Sequence, residues 1–69
     1  MDQDTLYRTY KPLLLSLAYR MLGSLTEAED AVQDVFVKIR EIDTEEIHHP
    51  KAYLVKMITN RSLNMLKVA

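Results

Sequence analysis

The chain has no cysteine and no tryptophan, a single glycine and two prolines. Without cysteine neither a disulfide nor a thiolate metal site can form, a pattern that fits a reducing compartment. One glycine is too few for a glycine-rich phosphate loop. Long hydrophobic runs are missing too. Leu13 to Leu15 falls far short of the roughly 18 residues of a membrane span and lacks the flanks of a signal peptide. No serine or histidine is framed by a nucleophile motif. His48 and His49 are adjacent, a poor chelate, with no third ligand at an i, i+4 spacing. We therefore expect no enzymatic activity, no cofactor and no metal site.

What is present favours helix. Of 69 residues, 48% are hydrophobic and four are methionine, and few residues break a helix. A chain of this size is one domain, residues 1–69, and buries only about 60% of the surface it would expose unfolded. Net charge is −1, which by itself points to no polyanionic partner, but its distribution is uneven. Residues 1–25 hold three cations against two acids (+1), residues 26–47 two cations against eight acids (−6), and residues 48–69 four cations and no acid (+4). An acidic middle beside a basic end suggests two partners of opposite character.

Apolar spacing of three and four residues predicts a first helix from about Asp4 to Leu22, burying Leu6, Tyr10, Leu13, Leu14, Leu17, Ala18 and Met21 and stopped by Gly23. Pro12 interrupts it, since it cannot donate to the Arg8 carbonyl. A kink is expected there, or a helix that begins only near Pro12. A second helix runs from Ser24 or Thr26 to about Arg40, since S-L-T-E and T-E-A-E both read as capping boxes. Its core stripe is Ala28, Ala31, Val32, Val35, Phe36 and Ile39. E-I-D-T-E-E-I-H-H-P reads as an acidic loop holding at most one helical turn, and Pro50 opens a third helix reaching Lys67. The third core stripe is Leu54, Val55, Ile58, Ser62, Met65 and Leu66. The fold class is all-α, a compact three-helix bundle.

Two faces are left over. On the second helix Asp30, Gln33, Asp34 and Val37 share about 100° of arc opposite the core stripe. They form either a solvated acidic face with one stray valine, or a protein contact centred on Val37 with carboxylates answering a basic partner. On the third helix Tyr53, Lys56, Asn60, Leu63, Asn64 and Lys67 share a similar arc. An aromatic ring, two amides and two ammonium groups suit base stacking, base-edge hydrogen bonding and phosphate contact. Exposed lysine and asparagine are also commonplace, so a merely solvated face remains open. Three phosphate contacts to a single strand, each with a slope near −0.7, would lose roughly twentyfold in affinity between 50 and 200 mM salt. A net-negative domain with so few cations needs a larger partner to deliver the strand.

The stretches L-Y-R-T-Y-K-P-L-L-L-S-L-A-Y-R-M-L-G and E-A-E-D-A-V-Q-D-V-F-V-K-I resemble region two of bacterial RNA polymerase sigma factors of the sigma-70 family, extracytoplasmic-function (ECF) type. A-Y-L-V-K-M-I-T-N-R-S-L-N-M-L is similar to that family's W-L-x-x-I-A-x-N-x-x-x-[DN]-x-L pattern, with Tyr53 at the aromatic position and Asn60 and Asn64 at the amide positions. The resemblance implies a three-helix domain that docks on the clamp helices of the polymerase β′ subunit through Asp30, Gln33, Asp34 and Val37. It further implies that the −10 promoter element is melted and captured as non-template single-stranded DNA by Tyr53, Lys56, Asn60 and Asn64, joined by Arg61 and Lys67. A flipped base would rest against the 43–50 loop. Cytoplasmic location and control by an anti-sigma factor are further expectations of the family.

Two departures stand out. The loop is acidic, with Asp43, Glu45 and Glu46, and its residues do not match a base pocket one by one. The family's second DNA-reading domain, a helix-turn-helix for the −35 element, has no counterpart before Ala69. The competing reading is a helical protein-interaction or regulatory module that uses the same faces without DNA.

Overall fold

Three helices form where the apolar periodicity places them. The computed structural model describes residues 2–67. Helix α1 spans Gln3–Leu22, α2 Leu25–Ile39 and α3 Pro50–Lys67, with a single 3-10 turn at Thr44–Glu46 in the second connection. Both ends of α1 and the starts of α2 and α3 have local causes. Asp2 caps α1 by accepting from the Thr5 N–H at 2.7 Å. That bond holds the Asp2 carboxyl below the usual aspartate range. Gly23 ends α1 at φ 71°, donating its N–H to the Tyr19 carbonyl at 2.8 Å. A Cβ at Gly23 would meet nothing within 4 Å, so the backbone conformation, not space, calls for glycine. Of the two candidate caps of α2, Ser24 is the one used, accepting from Glu27 N–H at 3.4 Å. Asp43 seeds the 3-10 turn by accepting from Glu45 N–H at 3.0 Å. Pro50 occupies the first position of α3, where its missing N–H leaves no bond unmade, and the His49 carbonyl accepts from Tyr53.

Helix α1 packs against both α2 and α3, which also pack against each other. All six residues expected on the apolar face of α2 are buried. Fully burying one large aliphatic or aromatic side chain contributes about 1.5–3 kcal/mol, so this face is the largest single share of the core. Tyr7 of α1 meets Phe36 edge-on, with ring centroids 4.9 Å apart and planes at 68°. Gln3 donates to the Ile39 carbonyl at 3.3 Å, tying the start of α1 to the end of α2.

Of the two alternatives expected at Pro12, a helix beginning only near that residue is ruled out, because α1 is continuous through it. Arg8 and Pro12 are exposed, so water can satisfy the carbonyl that Pro12 leaves without a donor. The core stripe of α1 is narrower than its apolar pattern: Leu6, Leu14 and Ala18 are buried, whereas Tyr10, Leu13, Leu17 and Met21 are half-buried. Leu66 is 47% exposed, because it combines the edge of the core arc with the last turn of α3. Val55 and Met65 are half-buried.

Ser62 is the one polar residue in the core of the described chain, fully buried, with no hydrogen-bond partner for its Oγ. A buried hydroxyl left unpaired costs about 1–3 kcal/mol, and alanine is also the better helix former. Ser62→Ala is expected to raise the unfolding free energy by about 1 kcal/mol, seen as a higher urea midpoint at unchanged slope. A lower midpoint would mean that the hydroxyl is bonded in the folded protein.

Candidate protein-docking and nucleic-acid surfaces

The circumference of α2 is divided sharply. Opposite the buried face, Asp30 and Gln33 are exposed, Asp34 is half-buried, and Val37 is 53% exposed. Gln33 and Val37 lean toward α1, where they line a groove with Gln3, Asp4, Tyr7 and Arg40 over the edges of Phe36 and Ile39. An exposed ion pair, Asp4–Arg8, borders this groove. Asp34 lies on the other side. With Lys38 it lines a cleft of about 180 Å³ shared with Asn60, Arg61 and Asn64 of α3. Of the four predicted docking residues, Gln33 and Val37 line the groove, Asp34 lines the cleft, and Asp30 lines neither.

The α3 strip also divides in two. Tyr53, 37% exposed, and Lys56 line a mostly apolar hollow with Ile42, Glu46, Ile47, His48, His49 and Ala52. Asn60 and Asn64 line the α2–α3 cleft instead. Leu63 and Lys67 are exposed, Leu63 at 43%. Arg61 is drawn across to α2: its Nε donates to Asp34 Oδ2 at 2.8 Å, and its Nη2 stands 2.7 Å from the same oxygen. Arg61 projects about 60° beyond Asn64 on the helical wheel, outside the strip. The structure thus joins one predicted docking residue to one predicted DNA residue.

Sequence reasoning missed the hollow as a unit. Ile42 and Ile47 are half-buried and packed against the core, and they fold the loop back against the first turn of α3. Two isoleucines inside an otherwise acidic segment were the available signal. Lys38 was missed as well, since it falls just outside the arc of the docking face and is aligned with the cleft only once α3 is in place. Among the described residues, no group of three or more His, Cys, Asp and Glu could hold a metal ion.

Residues 6–69 match the family described as Sigma-70 region 2. The chain belongs to that family. It is 32% identical over 71 aligned positions to the ECF RNA polymerase sigma factor SigW of Bacillus subtilis, an alignment that covers 96% of this chain and 38% of that protein. It is 36% identical over 56 positions to the ECF RNA polymerase sigma factor SigJ of Mycobacterium tuberculosis, covering 81% of this chain and 18% of that protein. The probable ECF RNA polymerase sigma factor SigI of the same species is 29% identical over 63 positions, 91% of this chain and 22% of that protein. This sigma region 2 domain thus spans well under half the length of these relatives. No solved structure gives a significant match. Among the described residues, no helix is long and apolar enough to cross a membrane.

Proposed function

We propose that this sigma region 2 domain serves transcription initiation in two ways. It docks on the β′ clamp helices of core RNA polymerase through Asp30, Gln33, Asp34 and Val37 of α2. It captures the melted −10 promoter element through α3 and the loop before it, and it acts as a specificity module without catalysis. The docking half is supported by Val37, a 53% exposed valine set among acids on a helix whose opposite side is wholly buried. An aliphatic anchor ringed by carboxylates and an amide is the pattern of an interface core with a charged rim.

The nucleic-acid half is supported by the split of the α3 strip. The hollow under Tyr53 has apolar walls, a stacking ring and Lys56 at its edge, the surroundings a single extruded base requires. Extruding a base costs a few kcal/mol, and stacking returns about 1–3 kcal/mol per base. The two nearly cancel, so the isolated domain gains little by melting DNA, and polymerase must hold the strand open. Asn60 and Asn64 add amide donors and acceptors farther along the same helix.

Two outcomes test this reading. Val37→Asp replaces an exposed side chain, so the fold is expected to survive unchanged by circular dichroism. Its affinity for a β′ clamp-helix fragment is expected to fall at least about thirtyfold, the loss of an interface anchor. Unchanged affinity would sink the docking assignment. Asn60→Ala and Lys56→Ala are each expected to weaken capture of −10 single-stranded DNA by about fivefold or more within the polymerase complex. If both variants capture the strand as well as the unmodified protein, α3 is not the DNA-facing helix.

A further inference from the structure

The cleft between α2 and α3 is lined by five polar or charged side chains and two apolar ones. Val35 is buried and Met57 half-buried beneath it, while Lys38 and Asp34 of α2 face Asn60, Arg61 and Asn64 of α3 around its opening. A guanidinium, an ammonium and two primary amides converging on one space make up the donor set that holds a phosphate. The one anion in that space is Asp34, which takes both contacts from Arg61 on a single oxygen. The side chains of Arg61 and Asp34 are 39% and 46% exposed. A pair this open to water is weak, and a competing charge can draw either member away.

We propose that this cleft is a seat for a phosphodiester group of the captured strand, that Lys38 belongs to it, and that Asp34 occupies it until polymerase is engaged. The inference rests on the docking and DNA-capture roles proposed above. The cleft holds two cations and one anion in the free chain. A basic partner that draws the Asp34 carboxylate outward leaves Lys38, Arg61 and the two amides facing the strand. Polymerase and DNA then draw opposite members of one ion pair apart, so each loosens the contact that hinders the other. By linkage the assistance is mutual. The domain carries a built-in reason to hold DNA better once docked.

The test is a titration of the ¹⁵N-labelled chain at low salt with a short oligothymidylate and, separately, with inorganic phosphate, following the Arg61 Nε–H resonance. Phosphate contacts do not read sequence, so a uniform strand suffices. The strand is expected to shift this resonance and those of the Lys38 neighbourhood at lower concentration than inorganic phosphate. Equal affinity for the two would make the cleft a free-anion site and overturn the strand assignment. Asp34→Asn is expected to tighten oligothymidylate binding about two- to fivefold and to steepen its salt dependence by about 0.7 in the log–log slope. Glu29→Gln removes the same charge from α2 outside the cleft, and its effect is expected to be smaller. In an Arg61→Gln background the extra gain from Asp34→Asn is expected to vanish. Lys38→Gln is expected to flatten the slope by about 0.7.

A gain from Asp34→Asn no larger than that of Glu29→Gln, a gain that persists without Arg61, or an unaltered slope in Lys38→Gln would overturn the proposal. Tyr53→Ala and Lys56→Ala, measured in the polymerase complex, separate the two levels. If they lose DNA capture while the cleft variants behave as the control does, the cleft is wrong and the DNA reading stands. If none of them alters capture, the DNA reading itself has failed.

Discussion

Helix α2 commits its entire apolar face to the core, and the rest of the structure follows from that commitment. A 69-residue chain with no cysteine has neither disulfide nor thiolate site to supplement its packing. It must draw its stability from side chains such as Val32, Val35, Phe36 and Ile39 closing against α1 and α3. Once that face is spoken for, Val37 has no place inside. A valine left 53% exposed among Asp30, Gln33 and Asp34 is the feature on which the proposed docking role rests.

The same packing brings the two candidate surfaces into contact. Because α2 and α3 lie side by side, the flank of one carries Asp34 and the flank of the other carries Arg61, and the two side chains meet. A pair with both side chains about two-fifths exposed adds little stability, about 0–1 kcal/mol. Its importance lies in which groups it joins, since Asp34 belongs to the proposed docking face and Arg61 to the proposed strand-binding helix. Under that proposal, docking and strand capture share a residue contact as well as a scaffold.

Much of this was legible in the sequence, for physical reasons that differ by element. The core of α2 could be read residue by residue because a 3.6-residue period places all six apolar positions on one side and the helix contains no breaker. The start of α1 was less clear, because a proline inside an apolar pattern can either mark a helix start or be carried within the helix, and only the packed structure shows that α1 continues through Pro12. Leu66 lies at the edge of the core arc by its angle, and angle alone does not reveal that in the last turn of α3 it stays 47% exposed. The face around Val37 and the strip from Tyr53 to Lys67 were visible as patterns. Their division into groove, cleft and hollow was not. The Asp34–Arg61 pair depends on how two helices lie together, and the hollow depends on a 3-10 turn folding Ile42 and Ile47 back toward Tyr53. Neither relation is encoded at any fixed sequence spacing.

The central claim is that this domain holds a promoter strand only when carried by polymerase. The direct measurement is capture of labelled −10 single-stranded DNA at physiological salt by the chain alone, by core polymerase alone, and by the two together. The account predicts retention of the strand only by the combination. Equally tight capture by the isolated chain would contradict it.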